Sequence, residues 1–321
     1  MNPDEKRAKI NALLPSLKEL VSPCQACGHA CGADRVGAEI GSCGAGAAGG
    51  EWARWQAALL HFGEEPMLVG DSGSGTVFFS YCCMSCAFCQ NWQISHEGEG
   101  HDGHFSLLAQ AFLSLQEQGA VNINLVTPTQ YILPILCALE LAYAQGLRLP
   151  VVYNTNAYDS LPLLRLLEGV VDVWLPDMKY MSHDAARQYS KTEAYPDVAR
   201  AGLREMYRQS GPLRIEDGVA VSGVMLRHLV LPNNIASSYE MLLWLHDEKM
   251  TDIGLSLMSQ YSPQYQASRY PEISRSVTRK EYDDVVAFAE KLSFNHILFQ
   301  NLDSADVYLP DFKRRRPFQD P

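Results

Sequence analysis

Short strand-like runs alternate with helical segments along most of the chain, and this alternation restricts the possible folds. In residues 105–118, Phe105, Leu108, Phe112 and Leu115 recur at the spacing of an amphipathic helix. Further helices are predicted at 130–146, 160–168, 194–209, 237–248 and 279–292. Strands are predicted at 76–80, 122–126, 151–154, 172–175, 224–230, 253–258 and 296–299. Strands and helices in alternation favour an α/β fold with a parallel sheet, either a partial (β/α) barrel or an open doubly wound sheet.

The first part of the chain differs in composition from the rest. Residues 5–21 have weak helical periodicity, with apolar residues on one face. Residues 22–50 are rich in Cys, Gly and Ala and contain few core-forming residues, so burial alone would not fold them. We therefore predict a Cys-rich N-terminal leader at 1–75, a barrel at 76–300 and a C-terminal tail at 301–321.

Charge and hydropathy exclude several classes of partner. The formal net charge is −11, and an acidic surface repels phosphate backbones, so we expect no nucleic-acid partner. No segment has the roughly 18 uninterrupted apolar residues of a membrane span, and the mixed, charged N-terminus does not resemble a signal peptide. We therefore expect no membrane partner and a cytoplasmic location. In that reducing compartment, the nine cysteines are more typical of metal ligands or catalytic groups than of disulfides.

The cysteines at 82–89 permit two sets of ligands. Cys83-x2-Cys86-x2-Cys89 begins like a bacterial ferredoxin motif, but the x3-Cys-Pro that should follow is missing. Cys82-x3-Cys86-x2-Cys89 offers three thiolates for three irons of a cubane cluster. The fourth iron would stay open, like the open position of a catalytic zinc site. Cys83 would then be a packing residue. A zinc site, structural thiols or a plain electron-transfer cluster are the alternatives.

The residues around this motif favour the second set. They read Phe-Phe-Ser-Tyr before Cys82 and Phe-Cys-Gln-Asn from Phe88 onward. This pattern resembles the radical S-adenosylmethionine (SAM) signature and is most similar to proteins related to the pyruvate formate-lyase activating enzyme. The resemblance implies a partial (β/α) barrel of the radical SAM type and a [4Fe-4S] cluster held by Cys82, Cys86 and Cys89. It also implies reductive cleavage of SAM to a 5′-deoxyadenosyl radical that abstracts hydrogen from a substrate.

The same resemblance implies partners. An electron donor such as flavodoxin or ferredoxin would reduce the cluster. The substrate would be either a glycyl radical enzyme, which must present a peptide loop, or a small molecule. A non-catalytic iron–sulfur protein is the third interpretation. The sequence identifies no catalytic residue beyond the cluster ligands.

Cofactor contacts are implied at several strand ends, because the resemblance extends over nearly the whole chain. Phe88 matches an aromatic residue that lies near the adenine. Thr127 and Thr129 occupy the place of a Gly-Gly-Glu-Pro motif that meets the methionine amino group, although its glycines and glutamate are absent here. The other implied contacts are Asn154, Asp177, Lys179 and Arg227. Asp177 and Lys179 alternate along a strand and would therefore point the same way.

Some polar residues have no clear assignment from sequence. His61, Glu64 and Glu65 would either line the mouth of the barrel or have capping or surface roles. Gln300, which follows the last predicted strand, is a candidate for a substrate contact.

A second set of cysteines lies in the leader, with the spacing Cys24-x2-Cys27-x3-Cys31-x11-Cys43. Four thiolates can fill a tetrahedral zinc site or ligate all four irons of a cubane cluster. A similar leader occurs in an uncharacterised branch of activating-enzyme-like proteins. We predict either zinc or a second iron–sulfur cluster here; disulfides or free buried thiols are the alternatives.

We expect this leader quartet to bind metal without being the site of SAM cleavage, because four protein ligands leave no open position. Replacing all four cysteines with serine should remove that metal and loosen residues 22–50. Metal analysis of the purified chain and the variant provides the measurement. Equal metal content in the two proteins would contradict a ligand role.

Overall fold

One mixed sheet organises the computed structural model, which describes residues 1–46, 49–301, 309–314 and 316–318. Its strands are β1 Trp52–His61, β2 Ser74–Phe79, β3 His101–His104, β4 Ile123–Val126, β5 Val151–Thr155, β6 Val173–Pro176, β7 Arg214–Glu216, β8 Val219–Leu229, β9 Gly254–Met258 and β10 His296–Phe299. The strands β2, β4, β5, β6, β8, β9 and β10 are parallel and lie side by side in chain order. At one edge β1 pairs antiparallel with β2 and β3, and β7 pairs antiparallel with β8.

The helices connect successive strands. They are α1 Pro3–Val21, α2 Pro66–Val69, α3 Trp92–Ser95, α4 Phe105–Glu117, α5 Ile132–Ala144, α6 Leu161–Leu166, α7 His183–Ser190, α8 Tyr195–Ser210, α9 Ser238–Asp247 and α10 Arg279–Glu290. Capping boxes start α1, through Asn2 and Glu5, and α10, through Thr278 and Glu281. Among the described residues, no helix combines the length and apolarity needed to cross a membrane.

The predicted α/β fold with a mostly parallel sheet is confirmed. Each predicted strand overlaps an observed one, although the run 224–230 is only the second half of the long β8. The sequence did not predict β1, β3, β7 or α7. In the described part of the chain, the sheet ends at β10 on one side and at β3 on the other, and these strands do not pair. This open arrangement is compatible with a partial (β/α) barrel.

The two faces of the sheet differ in polarity. Residues facing the helices are large and apolar, and examples with full burial are Leu125, Tyr153, Trp174, Leu226 and Leu255. The alternate positions face the inside of the curved sheet. Several of them are polar, namely Asn124, Asn154, Arg227 and Ser256. Buried polar side chains need partners, so the inner face is the part of the fold most suited to hold a site.

Segments from both predicted flanking regions complete the inner face. Leu68 of α2 is fully buried against Val152, Val173 and Met225, so it closes the interior at the amino ends of the strands. The leader therefore contributes both α2 and β1 to the sheet region. Of the predicted tail, residues 302–308, 315 and 319–321 lie outside the described residues. Within the described part, Phe312 is buried and packs against Phe78 of β2.

We expect Phe112→Ala to lower the free energy of unfolding by about 3–5 kcal/mol, because it leaves a cavity between α4 and the sheet. Leu107 lies on the exposed side of the same helix, so Leu107→Ala should change stability by no more than about 0.5 kcal/mol. Urea denaturation of both variants tests the burial pattern. Equal destabilisation by the two would contradict it.

Candidate active site

A loop that follows β2 brings its cysteines to the carboxyl ends of the parallel strands. Cys82, Cys86 and Cys89 line one cavity, which measures about 1330 Å³ including its open mouth. Cys83 is not among the described residues of that lining. We call this space the cysteine cavity. The loop therefore separates the three cysteines of the x3/x2 spacing from their neighbour.

The end of α7 holds this loop in place. The Ala87 N–H donates a hydrogen bond to the Tyr189 carbonyl at 2.7 Å. The Ser190 hydroxyl lies 3.1 Å from Cys86 Sγ and donates to it. After α7 the chain turns at Lys191, whose φ is +55°. Because α7 was not predicted from sequence, neither of these two contacts was expected.

Each of the three sulfurs lies next to a hydrogen-bonding group. Cys82 Sγ accepts from Asn156 Nδ2 at 3.2 Å and from the Met84 N–H at 3.4 Å. Cys89 Sγ lies 3.1 Å from the Ser95 hydroxyl. Donors of this kind stabilise thiolates, the form of cysteine that binds metal.

The three thiols differ in acidity. A hydrogen bond from the Cys83 thiol is the main reason that the pKa of Cys82 is lowered to about 7. Burial raises the pKa of Cys86 above its ordinary value and that of Cys89 to about 12. Cys82 is therefore the thiol most easily converted to a thiolate.

Cys83 points towards the leader. Its sulfur accepts a hydrogen bond from Asn156 Nδ2 at 3.2 Å and interacts with the Cys27 thiol. Its carbonyl accepts a hydrogen bond from His29 Nε2 at 2.7 Å. The packing role predicted for Cys83 thus includes contacts with the leader.

The structure brings most of the predicted cofactor residues to the cysteine cavity. Its lining includes Phe88, Thr127, Asn154, Asp177, Lys179 and Arg227. Thr129 is different, because it is buried below this surface and its hydroxyl donates to Asp159 Oδ1 at 2.7 Å. Of the two threonines suggested by sequence, only Thr127 is placed to meet a ligand in the cavity.

Arg227 is bound on three sides by acceptors. Its Nε lies 2.9 Å from Asp177 Oδ1, its Nη1 2.9 Å from Glu64 Oε2 and its Nη2 2.6 Å from Asn154 Oδ1. The side chain is only 15% exposed, and that of Glu64 is 8% exposed. Burial acts to lower the pKa of Arg227, but the carboxylates of Asp177 and Glu64 outweigh it and raise the pKa.

Lys179 lies between this network and the cysteines. Its Nζ is 2.9 Å from Asp177 Oδ2, so these two side chains do point the same way. Burial disfavours its charge, but the carboxylate of Asp177 outweighs burial and raises the pKa of Lys179 above its ordinary value. For Asp177, burial acts to raise the pKa, but the positive charges of Arg227 and Lys179 outweigh burial and lower the pKa. The ion pair is therefore charged at neutral pH.

Sequence reasoning gave two important residues little or no weight. Glu64 precedes α2 and belongs to no strand, and the sequence left open whether it lines the mouth of the barrel or has a capping or surface role. Asn156 follows Asn154 by two residues, and this alternation was the available signal. It donates to two cysteine sulfurs.

The leader docks beside the cysteine loop. The Gly28 N–H donates to the Tyr158 carbonyl at 2.8 Å, and Cys27 forms a backbone bridge with Asp159. The ideal Cβ of an alanine at position 28 would lie 2.5 Å from the Tyr158 ring, so the close approach requires glycine. This docking places Cys27 against Cys83.

The four leader cysteines are not gathered around one point. The Arg35 guanidinium lies between two of them, with Nη2 3.0 Å from Cys43 Sγ and a further hydrogen bond to Cys24. Cys31 is exposed. Among the described residues, no three Cys, His, Asp or Glu side chains are placed as ligands of a single metal ion.

The donors around the cysteine cavity nevertheless fit an iron–sulfur cluster. In a cubane each thiolate binds a different iron, so its ligands surround a group of atoms and do not converge on one ion. Three thiols face one cavity, and each has a hydrogen-bonding neighbour. Lys179 supplies positive charge beside them, which offsets the charge of three thiolates.

Fold and site together define an α/β protein with a cysteine-lined cavity at the carboxyl ends of a parallel sheet. No family model matches the chain. The chain is 31% identical over 288 residues to the uncharacterized protein MJ0674 of Methanocaldococcus jannaschii, an alignment that covers 87% of this chain and 78% of the archaeal protein. The chain therefore belongs to the same protein family as MJ0674.

We expect Arg227→Met to destabilise the fold by about 3–5 kcal/mol, because it leaves Glu64 buried without its counter-charge and leaves Asp177 with Lys179 alone. The matched control is Arg214→Met on β7, whose ion pair with Glu216 is exposed. Its loss should cost less than about 1 kcal/mol. Urea denaturation measures both. A small effect at Arg227 would show that its network is not a structural requirement.

Proposed function

We propose that this chain is a radical SAM enzyme. The observation that carries the proposal is the joint lining of one cavity by Cys82, Cys86 and Cys89 and by polar residues from several strand ends. Ligands of parallel α/β sheets characteristically bind at this edge. The sequence motif supplies the expected chemistry, and the cavity supplies a location where these residues can act together.

Cys82, Cys86 and Cys89 would hold a [4Fe-4S] cluster. When bound, such a cluster supplies one electron for the reductive cleavage of SAM to methionine and a radical that removes hydrogen from a substrate. The protein would supply three thiolate ligands, so the fourth iron would have no cysteine ligand. Asn156, Ser190 and Ser95 would orient the sulfurs, because each lies within hydrogen-bond distance of one.

The polar strand ends would bind SAM. Lys179 donates one N–H to Asp177. Its two other N–H groups would be available for the carboxylate of SAM. Oxygen atoms of Asn154, Asp177 and Thr127 would accept from the ammonium or the ribose hydroxyls. Arg227 acts as a positioning residue in this proposal, because Asp177, Asn154 and Glu64 already occupy its nitrogens.

Phe88 would provide an apolar wall for the adenine. It packs edge-on against Tyr180 and Tyr261, with ring centroids 6.3 and 5.6 Å away, so its ring is held in one orientation. Chemistry of this kind needs an external one-electron donor, for which flavodoxin or ferredoxin would serve. The protein side chains would mainly bind and orient, since the reactive chemistry belongs to the cofactor.

Two substrate classes fit this chemistry, a peptide loop of a glycyl radical enzyme and a small molecule. The described tail favours the second class. Phe318 lines the cysteine cavity, where its ring lies 4.2 Å from that of His61. Phe312 is buried beside it. A peptide loop needs more of this space than a small molecule does, so the Phe318 ring restricts a loop more.

Single alanine variants test the ligand set. Cys82→Ala, Cys86→Ala and Cys89→Ala should each lose most of the cluster iron and all detectable 5′-deoxyadenosine after reduction with dithionite. Each removes a thiolate that the cluster requires. Iron analysis and chromatography of the products measure the two quantities.

The matched control is Cys83→Ala, which removes a buried thiol from the same loop and should retain iron and cleavage. If Cys83→Ala abolished cleavage while Cys82→Ala preserved it, the other set of ligands would be the correct one. A reduced, iron-loaded wild-type protein that forms no 5′-deoxyadenosine would support the non-catalytic iron–sulfur interpretation.

A further inference from the structure

A second cavity opens on the side of the sheet. It lies between residues 62–72 and the strands β9 and β10, and it measures about 1660 Å³ including its open mouth. We call it the lateral cleft. Glu64, Arg227, Met258 and Gln260 line both the cysteine cavity and the lateral cleft. The two spaces therefore meet at the Arg227 network.

The lateral cleft is acidic. Its lining contains Glu64, Glu65, Asp71 and Asp217. Arg227 is the one Lys, Arg or His side chain among the described lining residues, and its charge is shared between Glu64 and Asp177. A cleft with uncompensated negative charge attracts cations and repels anions.

Ser256 hydrogen-bonds to only part of the Glu65 carboxylate. Glu65 is only 9% exposed, and its Oε2 has no hydrogen-bond donor among the described residues. Asn124 Oδ1 is also buried without a donor, while Asn124 Nδ2 donates to Glu64 Oε1 at 3.1 Å. Buried acceptors without donors are costly. Glu65 lines the lateral cleft, so its Oε2 would gain from a ligand there that carries N–H groups.

We propose that the substrate is a small molecule with a cationic nitrogen, such as an amine or guanidine, which enters through the lateral cleft. Its nitrogen donates to Glu65, and its reacting C–H bond points towards the cysteine cavity. This inference rests on the proposed function. One electron from the external donor would cleave the carbon–sulfur bond of SAM to give methionine and the 5′-deoxyadenosyl radical. That radical would take the hydrogen atom of the C–H bond, which leaves 5′-deoxyadenosine and a substrate radical.

Glu65 is the substrate-binding residue in this proposal. A charge-assisted hydrogen bond is about twice as strong as a neutral one, so the carboxylate provides most of the selection. A neutral molecule of the same size would form only the weaker hydrogen bond with Glu65, and an anionic one would be repelled by it. The acidic cleft would also lower the local concentration of anions.

The experiment follows the hydrogen atom. Cells that contain this protein are grown in deuterated medium, and their extract is divided into a protein fraction and a small-molecule filtrate. The filtrate is divided again on a cation-exchange resin. Each fraction is incubated with reduced, iron-loaded enzyme and unlabelled SAM, and the deuterium content of 5′-deoxyadenosine is measured by mass spectrometry.

We expect deuterium to come from the resin-bound, cationic part of the filtrate. In Glu65→Gln, the deuterium per 5′-deoxyadenosine should fall about tenfold or more, because the charge-assisted contact is lost. Glu290→Gln, at an exposed position at the end of α10, is the control and should behave as wild type. Thermal denaturation of both variants checks that they are folded.

Other outcomes overturn the inference. Deuterium that comes only from the protein fraction identifies a macromolecular substrate, and deuterium from the unbound filtrate identifies a neutral or anionic one. Undiminished transfer in folded Glu65→Gln removes that residue from recognition. Absence of 5′-deoxyadenosine in every wild-type reaction rejects the proposed function itself, so the two failures are distinguishable.

Discussion

Arg227 brings three separate stretches of the chain to one buried charge. It joins Asp177 after β6, Asn154 on β5 and Glu64 before α2. Removing a guanidinium from water is expensive unless its hydrogen bonds are replaced. Because those replacements come from different elements, the charge requires β5, β6 and the segment before α2 to be in their native positions. The same requirement sets the position of Asp177, and Asp177 in turn sets the position of Lys179.

This network also separates two chemical environments. On one side, Lys179 raises the positive potential beside Cys86 and Cys89. On the other, Glu64 and Glu65 face an acidic cleft. Burial raises the pKa of both glutamates, and Arg227 opposes that rise. One arginine thus opposes the effect of burial on both glutamates, and Asp71 and Asp217 add further carboxyl groups to the lining of the lateral cleft.

Much of the fold could be predicted from sequence. The central strands are buried on both sides, by the helices on one side and by the inside of the curved sheet on the other, and such strands have strong local signals. Two of the strands that were not predicted, β3 and β7, have weaker local signals. β3 reads His-Asp-Gly-His and β7 has only three exposed residues, so neither shows the apolar alternation of a strand. α7 was missed because its polar residues outnumber its apolar ones. In each case long-range pairing or packing, and not local preference, determines the element.

The residues of the candidate site also fall into two groups, those that the sequence predicts and those that it does not. Cysteines at short spacing and residues at strand ends can be recognised from sequence, since a parallel sheet collects its strand ends at one edge. Contacts between distant segments leave no such pattern. Nothing local indicates that Glu64 meets Arg227 or that Cys27 of the leader meets Cys83.

The leader contact has a physical consequence for the cysteine loop. Asn156 donates to both Cys82 and Cys83, and Cys83 is held from its other side by Cys27 and His29. Movement of the leader would therefore change the hydrogen bond that the Cys83 thiol gives to Cys82. That bond is the main cause of the lowered pKa of Cys82. The leader thus does more than cover the sheet, because its docking holds Cys83 and thereby supports the loop that carries Cys82.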